Sequence, residues 1–148
     1  MDHAKRRSLV VLFTMIASLI PFIIQGGELK KNAPAFTNMP SVGTKVPISS
    51  DHYLIYGFDR KPKLGTIILK IEIYTRDGNK DTSFEVLGDS GMPSMKGAHE
   101  TGEQLFRLSN KGAYLLPVNI VMPGDWEVRI TIKKNGNVIF RGSHQFDV

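Results

Sequence analysis

From residue 52 onward apolar residues recur at every second position, segment after segment, and no helical stretch of useful length follows residue 30. A period of two puts alternate side chains on opposite faces of an extended chain, so each such segment is a half-buried strand. "TIILKIEIYT" (66–75) sets Ile67, Leu69, Ile71 and Ile73 against Lys70 and Glu72. "SFEVLGD" (83–89) sets Phe84, Val86 and Gly88 against Glu85, and "EQLFRL" (103–108) alternates again. "AYLLPVNIVM" (113–122) places Tyr114, Leu116, Val118, Ile120 and Met122 on one parity, with Pro117 demoting the strand to an edge or a bulge. "WEVRITIK" (126–133) turns Trp126, Val128, Ile130 and Ile132 inward, Trp126 as the large aromatic of the core. The closing segment shares Phe140, His144, Phe146 and Val148 on one parity, and "HYLIYGF" (52–58) is the opening strand.

Turn signals separate these runs, including Asp77-Gly78 and the two-residue hairpin Asn135-Gly136. About seven short strands with turns at such spacing predict an all-β, immunoglobulin-like antiparallel β-sandwich over residues 51–148. Asn110, Gly112 and Tyr114 match the spacing of the turn ahead of a tyrosine corner, as would any loop glycine followed by a strand tyrosine.

The first 27 residues differ in kind. Lys5-Arg6-Arg7 precede an uncharged run, Ser8 to Gln25, of 18 residues. As a helix it would measure about 27 Å, close to the hydrocarbon thickness of a bilayer. The basic flank keeps the start cytoplasmic and exports the remainder. An uncleaved single-pass anchor and a cleaved signal peptide both fit; the run is long and lacks an A-x-A site, while Pro21 could break it ahead of a cleavage. Either way the domain is expected outside the cytoplasmic membrane, at its outer face or in the periplasm. Residues 28–50, with Pro34, Pro40 and Pro47 among Ser, Thr, Asn and Lys, read as a linker.

Hydrophobic residues make up 41% of the 148-residue chain, enough for one core. The formal net charge is +5, and beyond residue 27 the balance is 16 basic against 13 acidic residues. That is a mildly basic surface without clustered Lys and Arg among aromatics, so no nucleic-acid partner is expected. With no cysteine in the chain, disulfides, thiolate nucleophiles and thiolate metal sites are excluded.

Enzyme constellations are absent. Ser90, Ser94 and His99 lie close in sequence but without a nucleophile elbow, Asp89 and Glu100 read as solvated loop acids, and no zincin, phosphate-loop or Rossmann pattern occurs. The chain is expected not to be an enzyme.

One loop stands apart. "DSGMPSMKGAH" (89–99) carries Met92, Met95 and His99, and Met122 ends the strand before "PGDW". Met39, Met92 and Met122 each precede proline, which pushes them to extended geometry in loops or at strand ends. Thioether is a soft donor that suits Cu(I), and imidazole suits copper in either state. If the loop folds back and the 122–126 turn lies at the same end, Met92, Met95, His99 and Met122 form a candidate metal site. The competing reading makes the methionines flexible plugs of the sandwich end, with His99 a surface residue. His144 reads as a hydrogen-bonded core histidine, His52 as strand-edge polar chemistry, and His3 as cytoplasmic.

Residues 60–148 also resemble the YtkA-like domain family, whose near relatives include the FixH-type membrane proteins. The matched positions are Met92, Met95, His99, Gly112, Tyr114, Met122, Gly124 and Trp126. The resemblance implies an immunoglobulin-like sandwich outside the cytoplasmic membrane, associated in FixH-type relatives with copper supply to haem-copper oxidases or with their assembly. A membrane protein or oxidase-assembly partner is therefore expected. Periplasmic copper carriers of the CopC-like kind are similar in outline, but their N-terminal His and Asp-Gly-His segment are missing here, which counts against a Cu(II) site of that type. The leading expectation is a copper-binding carrier module. The alternatives are a structural or interaction module of a membrane-associated complex and an extracytoplasmic ligand-binding domain.

Overall fold

The computed structural model describes residues 33–97 and 99–148; the N-terminal segment expected to meet the membrane lies outside them. Among the described residues no helix is long and apolar enough to cross a membrane. The described residues form ten strands: β1 Thr37–Asn38, β2 Lys45–Pro47, β3 His52–Phe58, β4 Gly65–Thr75, β5 Glu85–Gly91, β6 Gln104–Leu105, β7 Arg107–Leu108, β8 Tyr114–Ile120, β9 Asp125–Lys134 and β10 Asn137–Asp147. They build two five-stranded sheets, ordered β1-β10-β9-β5-β6 and β2-β3-β4-β8-β7.

The alternation becomes the core. Ile67, Leu69, Ile71 and Ile73 of β4, and Val128, Ile130 and Ile132 of β9, are wholly buried, and these two sets from opposite sheets belong to one apolar cluster. Removing each such side chain from water is worth about 1.5–3 kcal/mol. The architecture is a β-sandwich. The Asn135-Gly136 turn joins β9 and β10, with φ of 51° and 76° at its two residues, the left-handed values a two-residue hairpin requires. Pro117 pairs with Ile68 of β4, while the β7 ladder stops at Leu115, so on its other side Pro117 sits at an open edge.

Three features differ from the sequence reading. Residues 28–50 are not simply a linker: β1 and β2 join the two sheets, and Met39, Val46 and Ile48 are buried. The sandwich is not wholly antiparallel, because β1 runs parallel to β10. The 103–108 strand divides between the sheets. Gln104–Leu105 pair with β5 and Arg107–Leu108 with β8, and Phe106 between them drops into the core. Its ring occupies the space a side chain at Gly88 would need, 2.5 Å from an ideal Cβ there, which is why the inward parity of β5 is broken by a glycine.

Tyr114 is not a tyrosine corner. Its hydroxyl donates to the carbonyl of Phe84 at 3.0 Å and accepts the Phe84 N–H at 3.3 Å, thirty residues upstream. It ties β8 of one sheet to the entry of β5 in the other, and burial raises its pKa. Tyr114→Phe leaves a buried backbone donor and acceptor unpaired and is expected to cost about 1–3 kcal/mol, read as a lower urea midpoint with an unchanged slope.

Asp81 gathers polar groups beside the core. Its carboxylate accepts the Ser83 N–H at 2.9 Å and pairs with His52 Nε2 at 3.0 Å and Lys134 Nζ at 3.5 Å. Hydrogen bonding from Ser83 leads in pulling its pKa from 3.8 to about 2, with His52 and Lys134 adding to it against the cost of burial. The ionised form is favoured in the folded state, so this stabilisation is complete above about pH 4 and is lost as pH falls through about 2. Asp81→Asn is expected to remove about 1–2 kcal/mol at neutral pH and to flatten the acid limb of stability against pH between 4 and 2.

Candidate functional site

The loop that carries Met92, Met95 and His99 leaves β5 at Gly91 and is closed at its base by Thr101. Thr101 N–H donates to the Ser90 carbonyl at 3.1 Å, and its hydroxyl donates to Asp89 at 3.1 Å. Met92 is extended, with φ −108° and ψ 112°, as a residue before proline should be. Pro93–Met95 then make one 3₁₀ turn, and Met95 N–H donates to the Met92 carbonyl at 2.9 Å.

A second segment, residues 121–125 ahead of Trp126, meets this loop. The Ser94 N–H donates to the Asp125 carboxylate at 3.0 Å and the Ser94 hydroxyl donates to the same group. Hydrogen bonding from Ser94 is the main cause lowering the Asp125 pKa. Gly124 has φ 141°, a conformation that disfavours side chains, and an ideal Cβ there would lie 2.8 Å from the Met92 methyl. Gly124 also exchanges backbone hydrogen bonds with Val148, at 2.9 and 3.0 Å. The Trp126 indole N–H donates to the Met122 carbonyl at 3.0 Å, fixing the turn from below.

The soft donors are placed unequally. Met92 is 4% exposed and belongs to the core. Met122 is half-buried and packs on the same cluster. Met95 is 40% exposed, on the outer side of the 3₁₀ turn. His99 is half-buried on the returning arm, its carbonyl lying beside Gly91. Loop and turn thus bring Met92 and the Met122–Gly124 segment together at one end, with Met95 on the outside. Among the described residues no three His, Asp or Glu side chains cluster as a metal site, so an ion at this end would depend on thioether sulfur.

The other histidines have settled environments. His144 is half-buried against the rings of Tyr56, Phe58 and Phe146, at centroid distances of 5.4, 6.4 and 6.1 Å. Burial lowers its pKa, and its ring makes no hydrogen bond among the described residues, in contrast to the hydrogen-bonded core histidine expected. His52 holds Asp81 and lies edge-on to Phe84 at 5.1 Å. Sequence reasoning missed the Ser94–Asp125 tie, whose partners are 31 residues apart and carry no local signal.

The class defined at this point is an all-β sandwich with a methionine-bearing loop clamped to a turn at one end. No family model matches the chain and no curated protein matches it, so the YtkA-like resemblance of residues 60–148 rests on its motifs. Among solved structures, FetP of uropathogenic Escherichia coli strain F11, expressed recombinantly in the periplasm of a laboratory strain, is similar at 16% identity with a TM-score of 0.48. The similarity covers 77% of this chain and 97% of that one.

Proposed function

We propose that this chain is an extracytoplasmic, immunoglobulin-like β-sandwich module that carries Cu(I) and passes it to a membrane-protein partner. The module does no covalent chemistry. Its N-terminal segment acts as anchor or export signal. The reading is supported by the clamp at one end of the sandwich, where the Ser94–Asp125 bonds and the Met92–Gly124 contact hold the turn bearing Met92 and Met95 against the segment bearing Met122, with His99 on the returning arm of the same loop. Neutral thioethers and imidazole are moderate ligands for a soft ion and release it to a stronger site, which suits transfer.

A second reading has its own observation. In it Met92, at 4% exposure, packs the sandwich end, and the exposed Met95 is a contact for a protein partner. Competition for Cu(I) with a chromophoric chelator, on the full chain in mild detergent, separates the two. Under the carrier reading one ion binds per chain, and Met95→Ala, His99→Ala, Met122→Leu and the shape-conserving Met92→Leu each weaken binding about tenfold or more. Absence of binding, or affinity indifferent to all four changes, leaves the packing and contact role.

A further inference from the structure

The outer face of the sheet β1-β10-β9-β5-β6 holds a groove of about 210 Å³, lined by Phe36, Asp89, Glu103, Arg129, Thr131 and Arg141, with none of the candidate donor residues Met92, Met95, His99 and Met122 in its lining. The register of the sheet explains the grouping. Arg141 of β10 stands opposite Thr131 of β9, and Arg129 of β9 opposite Asp89 of β5, all on the face turned from the core.

Two of the four charged groups neutralise each other. Arg129 donates from Nε to Glu127 at 2.7 Å and reaches Asp89 at 3.8 Å. The other two are left over. Arg141 makes no ion pair among the described residues; its guanidinium carbon lies 5.3 Å from the centre of the Phe36 ring, and its Nε is sealed from solvent with no hydrogen-bond partner. Glu103 accepts the Thr131 hydroxyl at 2.7 Å and likewise makes no ion pair among the described residues. Thr131, only 2% exposed, is the buried floor that fixes the Glu103 carboxylate.

An unpaired guanidinium and an unpaired carboxylate line one groove with no ion pair between them, so the groove offers charge of both signs. We propose that the groove binds a free α-amino acid as its zwitterion, the carboxylate taken by Arg141 and the ammonium by Glu103. A guanidinium offers a planar fork to a carboxylate, which sets orientation as well as attraction. A simple anion meets the unpaired Glu103 as a repulsive neighbour, and a simple amine meets the unpaired Arg141. Only a ligand with both charges satisfies both sides. The volume is below the range of about 300–1,000 Å³ for drug-sized ligands, in keeping with a molecule of a few heavy atoms.

The test is calorimetric titration of the full chain in mild detergent with glycine, alanine, serine and glutamate, and in parallel with propionate and propylamine. The expected result is saturable binding of at least one amino acid, with propionate and propylamine about tenfold weaker or worse. Arg141→Gln and Glu103→Gln should each weaken that binding about tenfold or more while leaving the thermal midpoint near that of the parent. Should Arg141→Gln fail to fold, Arg141→Lys keeps the charge, loses the fork and should still weaken binding. No binding by any of the four amino acids, propionate or propylamine binding as tightly as the best of them, or undiminished binding in folded Arg141 and Glu103 variants would overturn the proposal.

Discussion

Trp126→Ala is expected to lower the stability of the sandwich by about 3–5 kcal/mol, which is a large part of the 5–15 kcal/mol typical of a domain. Trp126 is 1% exposed and is among the largest fully buried side chains of the core. Its loss leaves a cavity that the neighbouring Val128 and Ile130, fixed by the ladders on both sides of β9, can fill only in part. It also leaves the Met122 carbonyl without the indole N–H that reaches it at 3.0 Å. Trp126→Phe separates these contributions. It keeps most of the apolar volume, loses the hydrogen bond, and should cost about 1–3 kcal/mol. Circular dichroism through a urea titration measures both, since the chain's single tryptophan is the residue being changed. The local consequence is as informative as the global one. The Trp126–Met122 bond sets the turn from which Gly124 pairs with Val148 and Asp125 holds Ser94. Amide exchange at Gly124 should therefore quicken in Trp126→Phe by more than the change in global stability predicts. A loss below about 1 kcal/mol for Trp126→Ala would mean that the core does not depend on this ring.

What the sequence made legible was what repeats. Ile67 to Ile73 and Trp126 to Ile132 alternate over lengths at which a period of two is unmistakable, and their faces came out as read. β1 and β2, with two and three residues, are too short to show any period. Their burial of Met39 and Val46 follows from pairing with β10 and β3, partners that lie elsewhere in the chain. Tyr114 showed the spacing of a familiar local turn, while its hydroxyl found a backbone thirty residues away. The same division holds at the candidate site. Proline after Met92 correctly implied an extended backbone, but φ and ψ do not tell which way a side chain faces at a loop. That direction was settled by Gly124, whose missing side chain makes room for the Met92 methyl. The groove under Arg141 was illegible for a related reason. Its residues come from five separated stretches of chain, and Arg141, Thr131, Arg129 and Asp89 meet only through the register of β10, β9 and β5.

Met92 then gives the sharpest division between a residue that packs and one that binds. As a core residue with 4% exposure, its truncation in Met92→Ala should cost about 2–5 kcal/mol, because the methyl held against Gly124 leaves a gap that the turn, tied at Gly124 to Val148, cannot close. Met92→Leu conserves volume and should cost less than about 1.5 kcal/mol, whereas Met95→Ala, at an exposed position, should stay within about 0.5 kcal/mol. Stability measured without metal thus ranks the three variants by the buried volume each removes. Added Cu(I) reorders them if the loop is a copper site, since an ion that binds only the folded state stabilises it by about 2.7 kcal/mol at a hundredfold excess over its dissociation constant. Parent protein should gain that increment, and Met92→Leu and Met95→Ala should not, although both fold nearly as well as the parent. A Met92→Ala cost below about 1 kcal/mol would remove the packing role. An equal gain with Cu(I) in all variants would place the ion away from Met92 and Met95.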